Sequence, residues 1–448
     1  MDIIGSFAVI HLTRRDWLKR AVGGAVLVGF APQSPLFSCR SASAFGCRCS
    51  SAAEDFRYST QPDKQGDIPE KQGNILVVVQ LAGGNDSLNT VVPYADDVYA
   101  RSRPTLRLDE RQVLKINDYL GFHPRLKALA RHYEQGSVSI VQAVGYPNPS
   151  QGHFESMRIW QTADTKPTHL ATGWLGRVCD VLGAASSGTL PALFVGSIRQ
   201  PFTLNAAQTI VPSIGGPGEL RLRAPAGLSD SAYIERLEQL ASVARRSDGP
   251  LAEHVTRTTA TACVQVRKIQ NVLDAPQQPR GYPPIELARH LQTVSQLIRA
   301  ELGIRIYCVE LGGEEPGGFD NHAAQRDNHA ALLGQLAESV AAFLDDLRRD
   351  RLLERVLLMT YSEFGRTIQE NGRRGTDHGS AACMFVAGGK IKGGLLGEHP
   401  SLLEKENGGL KHSIDFRRLY ATVLRHWLGV DPEVVLGRGY QPLEGLIA

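Results

Sequence analysis

Residues 355–389, RVLLMTYSEFGRTIQENGRRGTDHGSAACMFVAGG, contain two apolar runs separated by a polar loop. The runs 356–360 and 382–387 have the length and composition of buried strands. Polar side chains stand where each run meets the loop: Ser362, Glu363 and Arg366 after the first run, Asp377 and His378 before the second. Because ligands collect at strand ends in α/β sheets, this set predicts a site for a divalent metal and an oxyanion. A hydrogen-bonded loop that only joins two strands is the alternative.

Two earlier apolar runs also end in polar loops. Residues 74–81 form a continuous apolar strand of the kind buried in a parallel sheet, and it leads into a Gly-Gly-Asn-Asp loop that contains Asp86. The lysine of a phosphate-binding loop is missing there. Residues 138–144 form the next predicted strand, followed by Ser150 and His153 at a strand-to-helix corner. Ser150 either caps that helix or places a hydroxyl near its positive end.

A third polar set follows a predicted strand at 304–310. Asp320 and His322 come after that strand and before a long predicted helix at about 323–349. The alternation of strands and helices predicts an α/β fold. Between about 200 and 300 a Gly/Pro-rich stretch and three amphipathic segments, near 229–245, 252–273 and 285–302, predict a mainly helical insertion.

The N-terminal 44 residues resemble a twin-arginine export signal. Thr-Arg-Arg-Asp-Trp-Leu-Lys at 13–19 precedes an apolar run at 21–31, and Ala-Ser-Ala at 42–44 fits a cleavage site. The run is about half the ~20 residues that a membrane span needs, so no stable span is expected. A chance arginine pair before a hydrophobic helix is the alternative. The signal predicts the export machinery as a partner, a location in the periplasm or cell envelope, a polar linker at 45–72 and a folded domain at 73–448.

Charge and cysteine content exclude several classes of protein. The net charge of +3 over 448 residues arises within residues 1–44, so the rest of the chain is neutral and nucleic-acid binding is not expected. The cysteines show no Cys-x-x-Cys zinc pattern.

Carboxylates and imidazoles recur at successive predicted strand ends. They are Asp86, Asp320 with His322, Glu363, and Asp377 with His378. This mixture is the ligand set of divalent metals such as zinc or manganese. Two such ions can clamp the attacking and leaving oxygens of a transferring phosphoryl or sulfuryl group.

Several motifs resemble one bacterial family. They are GGNDSLNTVVPY at 83–94, HFESMRIW at 153–160, GGFDNHAAQ at 317–325, YSEFGRT at 361–367, GTDHG at 375–379 and DFRRLY at 415–420. Behind a twin-arginine leader, they resemble the family called domain of unknown function 1501. That family is similar to the alkaline phosphatase, sulfatase and phosphoglycerate mutase superfamily. The resemblance implies a mostly parallel central sheet between helices and a site for one or two divalent ions of zinc, manganese or calcium.

The resemblance also implies residue roles. Asp86 matches the metal-binding aspartate after the first strand, and Asp320, His322 and His378 resemble metal ligands. Glu363 stands where a ligand aspartate is expected, but Phe364 stands where its histidine should be. Gly152 replaces a serine that often precedes His153 and Phe154, which leaves Ser150 or Ser156 as nucleophile. His153 is a base, a ligand or an orienting group, and Arg366 is a catalytic candidate.

Three functions remain open from the sequence. The first is a metal-dependent hydrolase whose substrate is a small phosphate or sulfate ester or a sulfated or phosphorylated glycan. The second is a degenerate superfamily member that binds an anionic ligand or glycan without turnover, which Phe364 and Gly152 favour. The third is a metal-free serine hydrolase built on Ser362 or Ser150, although no Gly-x-Ser-x-Gly motif supports it.

Overall fold

The computed structural model describes residues 73–448 except 167–169, 186–188, 216–234, 237–238, 240–263, 277 and 314–317. The predicted signal at 1–44, the predicted linker at 45–72 and most of the first two insertion segments lie outside these residues. In the part of the chain that is described, no helix combines the length and apolar character that crossing a bilayer requires.

The strands run along the chain as β1 Ile75–Leu81, β2 Val91–Val92, β3 Leu114–Lys115, β4 Gly121–Phe122, β5 Val138–Gly145, β6 Ala192–Val195, β7 Ser213–Ile214, β8 Ile306–Leu311, β9 Val356–Tyr361, β10 Ala382–Gly388, β11 Gly394–Leu396, β12 Lys405–Glu406, β13 Gly409–Leu410 and β14 Ile414–Asp415. A nine-stranded sheet contains β11, β5, β10, β9, β1, β8, β6 and β7 in that order, with β14 also paired to β5. The remaining strands form two small sheets, β2-β4-β3 and β12-β13.

The large sheet is parallel except at β10. Strand β1 pairs parallel with both β8 and β9 at the centre of the sheet. Strand β10 pairs antiparallel with β9 on one side and β5 on the other. The predicted α/β fold with a mostly parallel central sheet is therefore confirmed. The reversal means that the start of β10 lies at the same edge of the sheet as the ends of its neighbours.

The helices are α1 Asp97–Ser102, α2 Lys127–Glu134, α3 His153–Thr162, α4 Trp174–Ala185, α5 Glu286–Arg299, α6 Gln325–Arg349, α7 Phe416–Thr422 and α8 Pro432–Leu436. Short 3-10 turns at Ser87–Asn89, Pro124–Leu126, Phe202–Leu204 and Leu353–Arg355 join several elements, and a π-helical segment Val423–Leu428 extends α7. The last predicted insertion segment is observed as α5, and residues 264–274 are also helical.

Helices cover both faces of the large sheet. Alternate β1 side chains such as Val77 and Val79 pack in one core with Leu291 of α5 and Leu336 of α6. The intervening side chains, such as Leu76, pack in a second core formed with α3, α4 and α7. Since every residue of β1 is buried, its sequence is apolar at every position except Gln80 instead of alternating. This sandwich holds the strand ends, and the loops beyond them, in fixed positions.

Candidate metal centre

The loops after β9 and before β10 meet at the carboxyl edge of the sheet. The main chain of Gly365 donates to Ser380, and Gly379 donates to Gly365, so the two loops are tied together. Arg366 and His378 also form an isolated antiparallel bridge. This pairing brings Glu363 and His378 to one region although fifteen positions separate them in the sequence.

Strand β8 and helix α3 supply the other side chains. Asp320 and His322 follow β8, and Phe319 donates its main-chain N–H to Ala82 at the end of β1 (2.8 Å). His153 is the first residue of α3, which begins after Gly152. Four elements distant in sequence therefore converge because their ends share one edge of the sheet.

One carboxylate and three imidazoles form the centre of this region. Asp320 Oδ1 lies 3.1 Å from His322 Nε2 and 3.2 Å from His378 Nε2. Asp320 Oδ2 lies 3.4 Å from His153 Nε2. The Nε2 atoms of His322 and His378 are 2.9 Å apart. We call these four residues the metal cluster. Their side chains are 20–38% exposed, so the cluster is open to solvent.

The other ring nitrogen of each imidazole meets an acceptor. His153 Nδ1 is 3.0 Å from Glu363 Oε1, and His322 Nδ1 is 3.0 Å from Asp377 Oδ1. His378 Nδ1 is 2.6 Å from the main-chain oxygen of Gln151. A carbonyl oxygen can only accept, so His378 Nδ1 carries the proton and its neutral Nε2 presents a lone pair. Histidines that ligate metals are held in this way by outer carboxylates and carbonyls.

These atoms fit a cation. Two imidazole Nε2 atoms 2.9 Å apart, both beside a carboxylate oxygen, repel one another unless a proton or a positive ion lies between them. Bonds of ~2.1 Å in a tetrahedral zinc site place ligand atoms about 3.4 Å apart, close to the separations seen here. One ligand atom each from His153, Asp320 and His378 also lie within 4.8 Å of one another.

Arg366 binds Asp320 from the buried side of the centre. Its Nη2 atom is 2.7 Å from Asp320 Oδ1 and 2.9 Å from the main-chain oxygen of Phe319. The same guanidinium donates to the main-chain oxygens of Gly83, Gly84 and Thr376, and its side chain is fully buried. The sequence predicted a catalytic arginine that faces an oxyanion. The structure places Arg366 differently, because its Nε, Nη1 and Nη2 atoms all donate inside the protein.

The electrostatics of the centre keep Asp320 ionised and favour a neutral His378. Burial opposes ionisation of Asp320, but hydrogen bonding and charge from Arg366 outweigh it and lower its pKa to about 2. The hydrogen bond to Glu363 raises the pKa of His153. Burial lowers the pKa of His378, which favours the neutral ring that a metal requires. Hydrogen bonds from Asn371 and His322 lower the pKa of Asp377.

The Gly83-Gly84 loop needs glycine. Both residues have positive φ, +106° and +82°. A Cβ on Gly83 would lie 2.5 Å from the main-chain nitrogen of Asp320, and one on Gly84 would lie 2.4 Å from the ring of Phe364. Gly83 also donates its N–H to Glu363 Oε1 (2.8 Å), the oxygen that contacts His153. The loop after β1 therefore positions the outer carboxylate of the centre.

Asp86 lies in a different environment. Its two oxygens accept from Arg103 at 2.6 and 2.9 Å, and Oδ2 also accepts from Gln325 at 2.5 Å. Both partners of the ion pair are almost fully buried. Burial raises the pKa of Asp86, but the charge of Arg103 outweighs it and lowers that pKa overall. The structure does not bring Asp86 into the metal cluster, because an arginine occupies the carboxylate.

The serine candidates are engaged elsewhere. Ser150 Oγ accepts from the N–H of Gly152 at 3.2 Å, and Ser362 Oγ is 2.7 Å from the main-chain oxygen of Leu81. Ser156 is buried and contacts Tyr146 and the main chain of Glu363. Among the described residues, no serine hydroxyl hydrogen-bonds to the metal cluster.

Phe364 takes the position where the resemblance expects a histidine ligand. It is buried, and its ring stacks on His378 with centroids 4.4 Å apart. The ring of His153 lies 5.0 Å away. Phe364 therefore supports the imidazoles from the side, and the described residues offer one cluster of ligands instead of two.

Two contributors were not predicted from the sequence. The main-chain oxygen of Gln151 accepts from Nδ1 of His378, and the side-chain amide of Gln151 donates to the main-chain oxygen of His378 (2.7 Å). Asn371 donates to Asp377 Oδ1 (3.0 Å) and to the main-chain oxygen of His322 (3.1 Å). A main-chain acceptor has no sequence signal. Asn371 does have one, since it opens the Asn-Gly turn that precedes Asp377.

Comparison with known proteins gives one family. The sequence model of the family described as "Protein of unknown function (DUF1501)" matches residues 74–444. None of the curated proteins matches the chain.

Several solved structures are distantly similar. A protein in the alkaline phosphatase superfamily from Vibrio parahaemolyticus is 9% identical, with 81% of this chain and 69% of that chain covered and a TM-score of 0.34. The lipoteichoic acid synthase LtaP from Listeria monocytogenes is 11% identical, with 84% and 75% covered and a TM-score of 0.33. The PsFucS1 sulfatase from Pseudoalteromonas sp. is 9% identical, with 84% and 71% covered and a TM-score of 0.34.

Proposed function

The chain belongs to the DUF1501 family, and from that premise we propose that it is a metal-dependent hydrolase of phosphate or sulfate esters. The observation that carries the proposal is the convergence of His153, His322 and His378 on Asp320, with each outer ring nitrogen held by an acceptor. Ring nitrogens and carboxylate oxygens that face one another at 2.9–3.4 Å repel unless a proton or a metal ion lies between them, and this supports a cation site here.

Asp320 and His378, with His153 or His322, would hold one divalent ion, of zinc, manganese or calcium. Two or three imidazoles with one carboxylate are a donor set that zinc prefers, and manganese also accepts it. A divalent cation bound there supplies Lewis acidity toward a phosphoryl or sulfuryl oxygen. Asp86 is not proposed as a ligand, since Arg103 and Gln325 occupy both of its oxygens.

The remaining residues position the ligands. Glu363 and Asp377 hold the rings of His153 and His322, so that the Nε2 atoms face the centre. Arg366 lowers the pKa of Asp320 to about 2, so the carboxylate stays ionised and remains a negative ligand. Phe364 and the glycine loop fix the rings and the main chain around them. Preorganised ligands of this kind cost little reorganisation when an ion or substrate binds.

Export to the periplasm or cell envelope through the twin-arginine pathway remains part of the proposal. It rests on the Arg14-Arg15 motif and the apolar run after it. Twin-arginine export carries proteins that have already folded, which suits a chain whose centre acquires an ion on folding.

Metal content and turnover test the proposal together. Purified protein is expected to contain about one divalent ion per chain and to hydrolyse nitrophenyl phosphate or nitrophenyl sulfate. Dialysis against a chelator should remove both properties, and returning the ion should restore them. Folded protein that binds no divalent ion when zinc, manganese and calcium are each supplied would overturn the proposal.

The serine at the α3 corner gives a further discriminating variant. Because Ser150 Oγ serves the turn before α3, Ser150→Ala is expected to leave turnover within about threefold and to cost about 1 kcal/mol of folding free energy. Turnover and thermal unfolding of the variant measure the two effects. A loss of turnover of several hundredfold with normal folding would identify Ser150 as a nucleophile.

A second candidate function is binding of an anionic ester or glycan without turnover. It is favoured by the engagement of Ser150, Ser156 and Ser362 in structural hydrogen bonds. This candidate predicts metal-dependent thermal stabilisation by inorganic phosphate or sulfate with no release of nitrophenol. Measurable, chelator-sensitive release of nitrophenol would exclude it.

A further inference from the structure

The centre lacks a free cationic side chain for its substrate in the position that the sequence predicted. Arg366 is fully buried, and its donors already serve Gly83, Gly84, Phe319, Asp320 and Thr376. An anionic substrate larger than a single ester group would need positive charge from elsewhere on the rim.

A tight turn with two arginines stands on that rim. The turn contains residues 371–375, Asn-Gly-Arg-Arg-Gly, and ends just before Asp377. Its main chain closes on itself, because Asn371 donates to Gly375 (2.8 Å) and its side-chain oxygen accepts from Arg373 and Gly375 (2.9 and 3.1 Å). The main-chain oxygens of Arg373 and Arg374 accept from the N–H groups of Ala324 and Gln325 at the start of α6, each at 3.0 Å. The backbone that carries both arginines is therefore fixed.

The turn is joined directly to the metal cluster. Asn371 bonds to the main chain of His322 and to Asp377. A Cβ on Gly375 would lie 2.3 Å from the main-chain carbon of His322, so the turn packs closely against that ligand.

Both arginine side chains are exposed. No carboxylate of the described residues forms an ion pair with either of them within 4.0 Å. The Arg374 backbone has a φ of +57°, an uncommon conformation for a residue with a side chain. An arginine guanidinium presents a planar fork of donors that matches two oxygens of a sulfate or phosphate group.

We propose that Arg373 and Arg374 bind a second anionic group of the substrate, so that the substrate is an oligoanion. On this account the ester to be cleaved lies at the metal cluster, and at least one further sulfate or phosphate lies against the turn. The inference rests on the proposed hydrolase function and deepens it. It assigns recognition of the anion to a surface turn and leaves Arg366 as a positioning residue for Asp320.

Binding of a polyanion tests this assignment. The probe is fluorescently labelled dextran sulfate, with uncharged dextran as the comparison ligand and the metal-loaded protein as the receptor. Arg373→Gln with Arg374→Gln is expected to weaken binding of dextran sulfate by roughly tenfold or more, since two charge-assisted contacts are lost. Raising the salt concentration should weaken binding to the wild type in the same direction. Uncharged dextran should not bind either protein.

Arg351→Gln provides a matched control. Arg351 is also exposed and also has a left-handed backbone, with a φ of +59°, but it follows the far end of α6. It should bind dextran sulfate like the wild type. If Arg373→Gln with Arg374→Gln does not fold, Arg373→Gln alone carries the same test with a smaller expected loss.

The outcomes separate this inference from the proposed function. The protein could bind dextran sulfate through these arginines and yet contain no metal and hydrolyse no ester. That result would support anion binding by Arg373 and Arg374 and would contradict the proposed hydrolase function. The protein could instead show metal-dependent turnover while the wild type and the variant with both arginines replaced bind dextran sulfate equally. That result would overturn anion binding by the turn and leave the proposed hydrolase function standing. Failure of the wild type to bind dextran sulfate also overturns anion binding by the turn.

Discussion

Asp86 and Asp320 occupy similar places in the fold and have different surroundings. Each follows one of two adjacent parallel strands, β1 and β8, and each meets an arginine. Arg103 engages both oxygens of Asp86, and the pair is sealed from solvent. Arg366 engages one oxygen of Asp320, while the other faces His153 and the side chain remains 38% exposed. The geometry of the arginine therefore separates a sealed, doubly paired carboxylate from one that stays open to solvent and to the imidazoles.

The comparison first predicts a large effect at Asp320. Asp320→Ala removes the carboxylate around which three imidazoles converge, so metal affinity is expected to fall by more than about 100-fold, above the range for outer residues. Turnover of a nitrophenyl ester should disappear with the metal. Metal analysis and steady-state kinetics on the folded variant measure the two changes. Full metal content in Asp320→Ala would show that the ion does not bind there.

Asp86 should behave in the opposite way. Asp86→Ala leaves the buried guanidinium of Arg103 without its partner, which is expected to cost about 3–5 kcal/mol of unfolding free energy. The metal bound per folded molecule should stay at its wild-type level. Denaturant unfolding and metal analysis measure the two quantities.

Glu110→Ala is the control for Asp86→Ala. It breaks an ion pair with Lys115 in which both side chains are more than half exposed, so the expected cost is small compared with that of Asp86→Ala. Equal costs for the two variants would contradict the assignment of Asp86 to a buried structural pair.

The outer carboxylates should have an intermediate effect. Asp377→Ala removes the acceptor at His322 Nδ1 and is expected to lower metal affinity by about 10- to 100-fold with little loss of stability. Competition with a chelator of known affinity measures the change. Glu404→Ala, which removes an exposed partner of Lys411, is the matched control and should leave metal affinity unchanged. An unchanged affinity in Asp377→Ala would remove Asp377 from the site.

Acid should produce the smallest effect. The folded-state pKa of Asp320 is lowered from 3.8 to about 2, so its contribution to stability is complete above pH ~4 and is lost as the pH falls toward 2. Since the side chain is partly exposed, that contribution is no more than about 1 kcal/mol. In metal-free protein, Asp320→Asn should therefore lose less stability than the wild type between pH 5 and pH 2. Identical pH profiles by thermal unfolding would contradict the depressed pKa.

Much of this fold was accessible from the sequence, because buried strands have a strong apolar signal. The runs at 74–81, 304–310 and 356–360 are confirmed as β1, β8 and β9 within one or two residues. The polar residues after them could also be predicted to share one edge, since parallel strands end there. The family membership predicted from the short motifs is likewise confirmed.

The partners of each charged side chain could not be predicted in the same way. Arg103 lies 17 positions from Asp86 beyond a short helix, and nothing in its local pattern marks it as buried. Arg366 is close to Asp377 and His378 in the sequence, but its donors turn inward to main-chain oxygens. Which charges pair is decided by three-dimensional packing, so the sequence showed the site region and left the ligands unresolved.

The most direct measurement is the position of the bound ion in a crystal of the metal-loaded protein. Anomalous diffraction at the absorption edge of the ion is expected to show one peak per chain. For zinc, the peak should lie ~2.0–2.2 Å from Asp320, from Nε2 of His378 and from Nε2 of at least one of His153 and His322, with Asp86 still paired to Arg103. A peak beside Asp86, or no peak among these residues at full metal loading, would contradict the account.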